Sequence, residues 1–249
     1  MELLVHGATG RMGQVICQMA SEGKENAHVI AAVSPDIPAG GIENGYLHLD
    51  DFTGNADCVV DFSHHTATQE LLSYCVKRNL PVVIATTGQT AEEKEAIRKA
   101  AETIPVFFTA NMSLGVAVLA ELAVRAASIF PDAEIEIVET HHDQKLDVPS
   151  GTALMLGNAL CGAHPDSTLL VGRHEAGKRT KREIGIHSLR IGNEVGTHEI
   201  LISTSAETIT LKHQAHSRTL FAEGALRAAA FLCGKPAGLY TMQELLEEN

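Results

Sequence analysis

Short apolar runs alternate with amphipathic segments over the first 112 residues of the 249-residue chain. A continuous apolar run of roughly four to eight residues is typical of a strand buried on both faces, and a period of about 3.6 residues is typical of a helix. The runs predict strands at 3–5, 28–33, 56–62, 81–85 and 106–108, with helices to about 21, over 68–77 and over 91–102. This order predicts a parallel sheet with helices on both faces and ligands at the carboxyl ends of its strands. The Gly- and Pro-rich segment 35–51 is predicted to be a loop with little structure.

The pattern changes after a helix predicted over 114–127. Apolar and polar residues then alternate by twos in four segments, 133–141, 183–189, 197–204 and 207–212. Alternation of this kind is typical of half-buried strands, whose second face is covered either by water or by another subunit, and apolar residues on both faces near 200–202 favour a subunit. Helical spacing returns from Ser217 to Gly234. We therefore predict an α/β protein with a Rossmann-like parallel sheet domain and an α+β domain with an open, mostly antiparallel sheet.

Three glycines follow the first predicted strand in the spacing Gly-x-x-Gly-x-x-Gly, at Gly7, Gly10 and Gly13. A tight turn, close backbone approach to a pyrophosphate and a helix N-terminus directed at that charge all favour a dinucleotide site at this position. The alternative is a glycine-rich turn that serves helix packing alone. The second strand ends at Ser34, where an acidic residue would bind the ribose of NAD, and Arg11 is the nearby candidate for a 2′-phosphate. The choice between NADH and NADPH is therefore open.

Polar residues also follow two later strands of the predicted parallel sheet. Thr86 and Thr87 come after the strand at 81–85, and Asn111 comes after the strand at 106–108. Their position at strand ends is typical of ligand contacts, but ordinary turn and capping roles account for them equally well.

Candidate proton donors are most concentrated at His141, His142 and Lys145. These three side chains lie close enough in sequence for one strand and its following turn to place them around a small ligand. A solvated loop is one alternative and a metal site is another. Adjacent strand residues point to opposite faces, so His141 and His142 are poorly placed to chelate one ion, and Lys145 would oppose it.

A helix is predicted to begin just after this group, with Ser150 as its N-cap. The backbone amides of Gly151 and Thr152 would then lack intrahelical partners. Such amides at a helix N-terminus form an anion site, and we expect this one to bind a carboxylate.

Composition excludes several classes of protein. The net charge of −12, the 4% aromatic content and the absence of Trp argue against a nucleic-acid surface. Apolar runs are shorter than the roughly 18 residues of a membrane span, and the N-terminus begins with a strand pattern, so we expect a cytoplasmic protein without a membrane partner. The five cysteines are scattered without a Cys-x-x-Cys pair, which indicates neither a disulfide framework nor a zinc ribbon.

Seven motifs together resemble the 4-hydroxy-tetrahydrodipicolinate reductase (dihydrodipicolinate reductase) family of the diaminopimelate and lysine pathway. They are Gly-Ala-Thr-Gly-Arg-Met-Gly at 7–13, Asp-Phe-Ser-His at 61–64, Thr-Thr-Gly at 86–88, Ala-Asn-Met-Ser-Leu-Gly-Val at 110–116, the run 139–153, Ile-His-Ser-Leu-Arg at 186–190 and His-Gln-Ala-His-Ser-Arg at 213–218. The resemblance implies reduction of 4-hydroxy-tetrahydrodipicolinate, a cyclic imine dicarboxylate, by NADH or NADPH with loss of water. It also implies a homotetramer assembled through the sheets of the second domain, and a final helix that packs back on the nucleotide domain. From the residues themselves we expect no metal.

The resemblance carries over to single positions of this chain. His141 corresponds to the family's proton donor or acceptor and Lys145 to its proton donor, and which of them delivers the proton is open. His142, Gly151 and Thr152 correspond to substrate contacts. The implied cofactor contacts are Gly7, Ala8, Thr9, Gly10, Arg11, Met12, Ser34, Ala85, Thr86, Thr87, Thr109, Ala110, Asn111 and Met112. The chain departs from the family at Ser34, where an acidic residue is usual, and at Ala85, where glycine is common.

The predicted domains are residues 1–112 with 218–249, which bind the dinucleotide, and residues 113–217, which bind the substrate and form the oligomer. Two other classes of function compete with this reading. A metal-dependent hydrolase would use His64, His65, His141 and His142. A regulatory protein would bind the dinucleotide without turnover, and it would need no lysine in the segment 139–153.

Overall fold

The computed structural model describes residues 1–38 and 41–248. Residues 39 and 40 of the predicted loop, and residue 249 of the predicted first domain, lie outside the described residues. The chain divides into two compact units. Unit 1 comprises Met1–Ser113 and Thr219–Asn249, and unit 2 comprises Leu114–Arg218.

The described residues form twelve strands and seven α-helices. The strands are β1 Glu2–His6, β2 His28–Val33, β3 Gly45–Tyr46, β4 Cys58–Asp61, β5 Val82–Ile84, β6 Pro105–Phe108, β7 Glu134–His141, β8 Thr168–Val171, β9 Glu183–Arg190, β10 Gly196–Ser203, β11 Thr208–Ala215 and β12 Gly238–Tyr240. The helices are α1 Arg11–Ser21, α2 Thr68–Arg78, α3 Ala91–Ala101, α4 Leu114–Ile129, α5 Gly151–Ala163, α6 Thr219–Leu232 and α7 Met242–Glu247. None of these helices is long and apolar enough to cross a membrane.

Unit 1 is built on a parallel sheet in the order β12-β6-β5-β4-β1-β2-β3. Helices α1 and α6 pack together on one face, where Phe107 of β6 meets Phe231 of α6 with ring centroids 6.1 Å apart. Helices α2 and α3 cover the other face. The predicted Rossmann-like sheet is therefore confirmed. The edge strands β3 and β12 were not predicted, because two or three residues are too short to establish a period.

Two glycines allow the turn after β1 to pack tightly. Gly7 has φ +79°, and a Cβ there would lie 2.7 Å from the backbone of Phe62 and Ser63 in the segment after β4. A Cβ on Gly13 would lie 2.1 Å from the Gly7 carbonyl oxygen. Helix α1 can therefore begin directly against the strand ends, which is the arrangement that a dinucleotide site needs.

Unit 2 contains a five-stranded sheet in the order β11-β10-β7-β9-β8, with α4 and α5 packed on one face. Strand β10 is antiparallel to β7 and β11, whereas β9 is parallel to β7 and β8. The sheet is thus mixed where the sequence predicted one that is mostly antiparallel. Alternation by twos reports only that one face is buried, so it cannot distinguish the two strand directions. Strand β8 has no such alternation and was not predicted.

The opposite face of this sheet carries polar and apolar side chains together. Glu136 and Val138 of β7 point to it, while Leu189 and Ile191 are 47% and 64% exposed. We call this surface, opposite α4 and α5, the open face.

We expect two glycine-to-alanine substitutions to have opposite effects. Gly13→Ala should destabilise the protein by at least about 1–3 kcal/mol, because the new methyl group overlaps rigid backbone. Gly162→Ala should stabilise it by up to about 1 kcal/mol, because Gly162 is helical and a Cβ there has no atom within 4 Å. Thermal unfolding of both variants measures the two shifts, and equal shifts would contradict the packing described for α1.

Candidate active site

The core face of unit 2 becomes polar where β7 ends. Ile135 and Ile137 point toward the helices, and the same alternation places Glu139 and His141 on that face. Arg190 lies beside His141 on β9, and His198 lies beside Glu139 on β10. With Ser150 at the start of α5, these residues form a buried group that we call the Glu139 cluster: Glu139, His141, Ser150, Arg190 and His198.

The Glu139 carboxylate is fully buried and accepts four hydrogen bonds. His141 donates from Nδ1 to Oε2 at 2.5 Å, and the Ser150 amide donates to Oε1 at 3.1 Å. Arg190 donates from both terminal nitrogens, at 3.0 Å to Oε2 and 2.9 Å to Oε1. Burial alone would raise the pKa of Glu139, but these charge-assisted bonds hold that pKa well below its usual range. Glu139 is therefore an anion that fixes three neighbours at once.

This contact determines what His141 can do. Because Nδ1 is bound to an acceptor-only carboxylate, Nε2 is the ring nitrogen left to exchange a proton with a ligand. Gly196 makes room for the ring, since a Cβ there would lie 3.0 Å from Nε2. The imidazole is thus held in one tautomer and one orientation.

His198 is buried against the same group. Its Nε2 lies 3.2 Å from the Ser150 hydroxyl, and its ring centroid lies 5.2 Å from that of His141. Burial, and next the proximity of His141, lower the pKa of His198 to about 4, so it is neutral at pH 7. The Ser150 hydroxyl also accepts from the Ala153 amide at 3.1 Å, which confirms Ser150 as the N-cap of α5.

Lys145 lies in the turn that connects β7 to α5. Its ammonium is 2.8 Å from the carboxylate of Asp147, and the Asp147 carbonyl accepts from Arg190 at 2.7 Å. Partial burial would raise the pKa of Asp147, but Lys145 and the Gly151 amide together lower it. A carboxylate therefore already lies by the first amide of α5. The Lys145 charge also contributes to the low pKa of His198, so its field reaches the cluster.

The other predicted substrate contacts surround this turn. His142 is half-buried, and its Nε2 lies 3.4 Å from a terminal nitrogen of Arg218 rather than in the Glu139 cluster. Gly151 is exposed at the first position of α5, and Thr152 is half-buried beside it. His141 and His142 thus have different neighbours, as the predicted opposite faces require.

Sequence reasoning assigned no role to Glu139, Asp147, Arg190, His198 or Arg218. The signal for Glu139 was present, because its place in the alternation puts a carboxylate on a face that is otherwise apolar. The position of Arg190 depends on the parallel register of β9 against β7, which no local pattern contains.

In unit 1, a cavity of about 410 Å³ lies at the carboxyl ends of β1, β2 and β4. Four predicted cofactor residues line it, namely Gly7, Thr9, Gly10 and Ser34. Gly10 precedes α1 without a side-chain cap, so the first amides of the helix can meet a phosphate. Ser34 is buried, and its hydroxyl lies 2.6 Å from that of Thr9. The cavity, the glycine turn and the helix end fit the phosphate-linked part of a dinucleotide.

The remaining predicted cofactor residues differ in exposure. Ala8, Thr86 and Met112 are buried, Arg11, Thr87 and Ala110 are exposed, and Met12, Ala85, Thr109 and Asn111 are half-buried. The Met112 carbonyl packs under Gly224 of α6, where a Cβ would lie 1.7 Å from its oxygen. The Asn111 Oδ1 accepts a hydrogen bond from the Ser113 amide at 2.7 Å, and this contact lies within one turn. That these residues bind the cofactor stays a prediction.

The histidines of the competing hydrolase hypothesis belong to two different units. His64 and His65 lie in unit 1, and His141 and His142 lie in unit 2. Over residues 1–38 and 41–248, no group of three His, Cys, Asp or Glu side chains is placed to hold a metal ion.

Comparison with known proteins covers nearly the whole chain. Residues 1–112 match the family described as dihydrodipicolinate reductase, N-terminus, and residues 115–246 match its C-terminus. A 4-hydroxy-tetrahydrodipicolinate reductase of Caldanaerobacter subterraneus is 42% identical over 99% of this chain and 98% of its own. That of Clostridium novyi is 38% identical over 100% and 99%. A dipicolinate-bound dihydrodipicolinate reductase from Paenisporosarcina has a TM-score of 0.79 at 25% identity, with 97% of each chain covered.

The low pKa of His198 predicts a specific dependence of stability on pH. The pKa of His198 is near 6.5 in the unfolded chain and about 4 in the folded chain. The contribution of neutral His198 to the free energy of unfolding is therefore fully present above pH 6.5 and is lost as the pH falls from 6.5 toward 4. At pH 5 the loss should be about 2 kcal/mol. His198→Gln should lack this part of the slope between pH 7 and pH 5.

Urea unfolding at the two pH values measures the difference. His174→Gln changes an exposed histidine of the same unit and should retain the wild-type slope. If His198→Gln also retained it, His198 would not be a buried neutral histidine.

Proposed function

The chain belongs to the dihydrodipicolinate reductase family, and from this premise we propose that it reduces 4-hydroxy-tetrahydrodipicolinate to tetrahydrodipicolinate with NADH or NADPH. It is an NAD(P)H-dependent oxidoreductase of diaminopimelate and lysine biosynthesis. Unit 1 binds the dinucleotide and unit 2 binds the substrate. The observation that carries this assignment is the Glu139 cluster, with the Lys145 turn and the first turn of α5 beside it.

Substrate carboxylates are the groups that this part of unit 2 suits. The amides of Gly151 and Thr152 begin α5, and Lys145 and His142 add donors on the turn before it. Asp147 supports the assignment, because its own carboxylate pairs with Lys145 beside Gly151. A substrate carboxylate would compete with Asp147 for these partners. Asp147 is the more exposed partner, with 56% of its side chain accessible, and an ion pair open to solvent contributes only about 0–1 kcal/mol, so a bound dicarboxylate can displace it.

Either His141 or Lys145 supplies the proton. Each turnover adds one hydride and one proton to the substrate and releases one water. NADH or NADPH bound in unit 1 supplies the hydride. The His141 Nε2 and the Lys145 ammonium are the positioned groups that can deliver the proton, and Glu139 keeps His141 oriented for it. The contacts to its carboxylates orient the substrate ring, and this orientation contributes the larger part of the rate enhancement.

We further propose a cytoplasmic homotetramer assembled through the open face of unit 2. Leu189 lies on that side together with His187 and is 47% exposed, and burial of such an apolar side chain favours a subunit contact. The cytoplasmic assignment is supported by the five free cysteines, among which Cys58 and Cys75 are buried.

Oxidation of the reduced nicotinamide tests the proposed activity directly. The substrate is made in situ by the preceding synthase, and NADH and NADPH are compared at equal concentration. Turnover that depends on the synthase product supports the proposal. Binding of the dinucleotide without turnover would favour a regulatory protein instead.

Lys145→Ala should lower kcat by about 10²- to 10⁴-fold without unfolding the protein, because general acid catalysis and carboxylate binding are lost together. The measurement is kcat with saturating cofactor, alongside thermal unfolding. Lys99→Ala, on the exposed surface of α3, is the matched control and should keep wild-type kcat. Near wild-type kcat in Lys145→Ala would remove Lys145 from the mechanism.

A further inference from the structure

A second buried carboxylate, Asp61, ends β4 in unit 1 and takes no part in the mechanism above. It is 2% exposed, and both of its oxygens accept hydrogen bonds. His6 Nδ1 lies 2.9 Å from Oδ1, and the Thr86 hydroxyl donates to Oδ2 at 2.7 Å. The Ser63 hydroxyl and amide donate to Oδ1 at 2.6 Å and 3.1 Å. All four groups act as donors, because a carboxylate only accepts.

These contacts join three neighbouring strand ends. His6 is the last residue of β1, Ser63 follows β4, and Thr86 follows β5. Two of these segments are predicted to bind the dinucleotide, since Gly7 follows His6 directly and Thr86 is itself a predicted contact. Ser63 lines the same cavity as Gly7. The Gly7 backbone also touches the segment after β4, where only glycine fits. Asp61 therefore fixes the turn after β1 relative to the segment that contains Thr86.

Asp61 is buried beside a cavity that its neighbours line. His6, Gly7 and Ser63 line the cavity of about 410 Å³, whereas Asp61 is not among its described lining residues. Its four donors leave it no role as a direct cofactor contact. The Thr86 hydroxyl hydrogen is likewise occupied by Asp61, so that hydrogen is not available to a ligand.

We propose that Asp61 is a positioning residue for the dinucleotide, acting through His6, Ser63 and Thr86 without touching it. The inference rests on the proposed function, in which these segments hold NADH or NADPH. Fixing them before binding reduces the ordering that the cofactor would otherwise have to impose. Loss of the carboxylate should therefore raise the Kd of the cofactor in a protein that remains folded.

The test is the Kd of NADH and of NADPH, from the fluorescence of the bound nicotinamide, in the full-length protein without substrate, and the variants are compared with the nucleotide that the wild type binds more tightly. Asp61→Asn keeps the shape of the side chain but places an amide among four donors, and we expect the Kd to rise by about 10- to 100-fold. His6→Leu removes one donor and should raise the Kd by about tenfold. His6→Asn keeps a donor near the position of Nδ1 and should recover most of the affinity.

Glu244→Gln is the matched control, because Glu244 also accepts bonds inside unit 1, from the Thr241 amide and hydroxyl at 2.8 Å and 2.5 Å. It should lower the unfolding temperature and leave the Kd unchanged. A Kd within about twofold of wild type in both Asp61→Asn and His6→Leu would overturn the inference and leave the proposed function intact. If His6→Leu and His6→Asn weaken binding equally, the inference also fails. A wild-type protein that binds neither nucleotide would overturn the proposed function as well.

Discussion

A buried negative charge at the end of β7 determines how unit 2 is assembled. Removing one partner from a buried ion pair typically costs about 3–5 kcal/mol, because the remaining charge is left uncompensated. Glu139 is fully buried, so Arg190, His141 and the Ser150 amide must all reach it when the unit folds. This one requirement fixes β9 against β7, the start of α5 against both, and the orientation of the imidazole that we place in the mechanism.

The two units solve a similar problem in similar ways. Each places a carboxylate near the end of a central strand, buries it and surrounds it with donors from the same segment of chain and from neighbouring segments. Asp61 holds segments predicted to bind the dinucleotide, and Glu139 holds the group predicted to act on the substrate. In both cases the ligand-facing atoms belong to neighbours of the carboxylate. Such an arrangement keeps a strong charge out of contact with an anionic ligand while its hydrogen bonds keep the site in place.

Local patterns were sufficient for some features and not for others. The glycines after β1 and the Ser150 cap could be predicted, because a tight turn and a helix start have short sequence signatures. The parallel pairing of β7 with β9 could not be predicted, since alternation does not encode strand direction. The contact between Arg190 and Glu139 depends on that pairing, so it could not be predicted either. The ion pair between Lys145 and Asp147 could not be predicted either, because both residues lie in an irregular turn whose conformation no periodic pattern encodes. Family motifs identified His141 but not what orients it.

The most direct test of this account compares two carboxylates on one strand. Glu136 binds His187 and Arg179 on the open face, at 2.9 Å and 3.0 Å, just as Glu139 binds His141 and Arg190 on the core face. Turnover should be measured for Glu139→Gln and Glu136→Gln with substrate and cofactor both saturating. We predict that Glu139→Gln loses at least about 10²-fold in kcat while Glu136→Gln stays within a few-fold of wild type. Wild-type turnover in Glu139→Gln would contradict the central role given to that carboxylate.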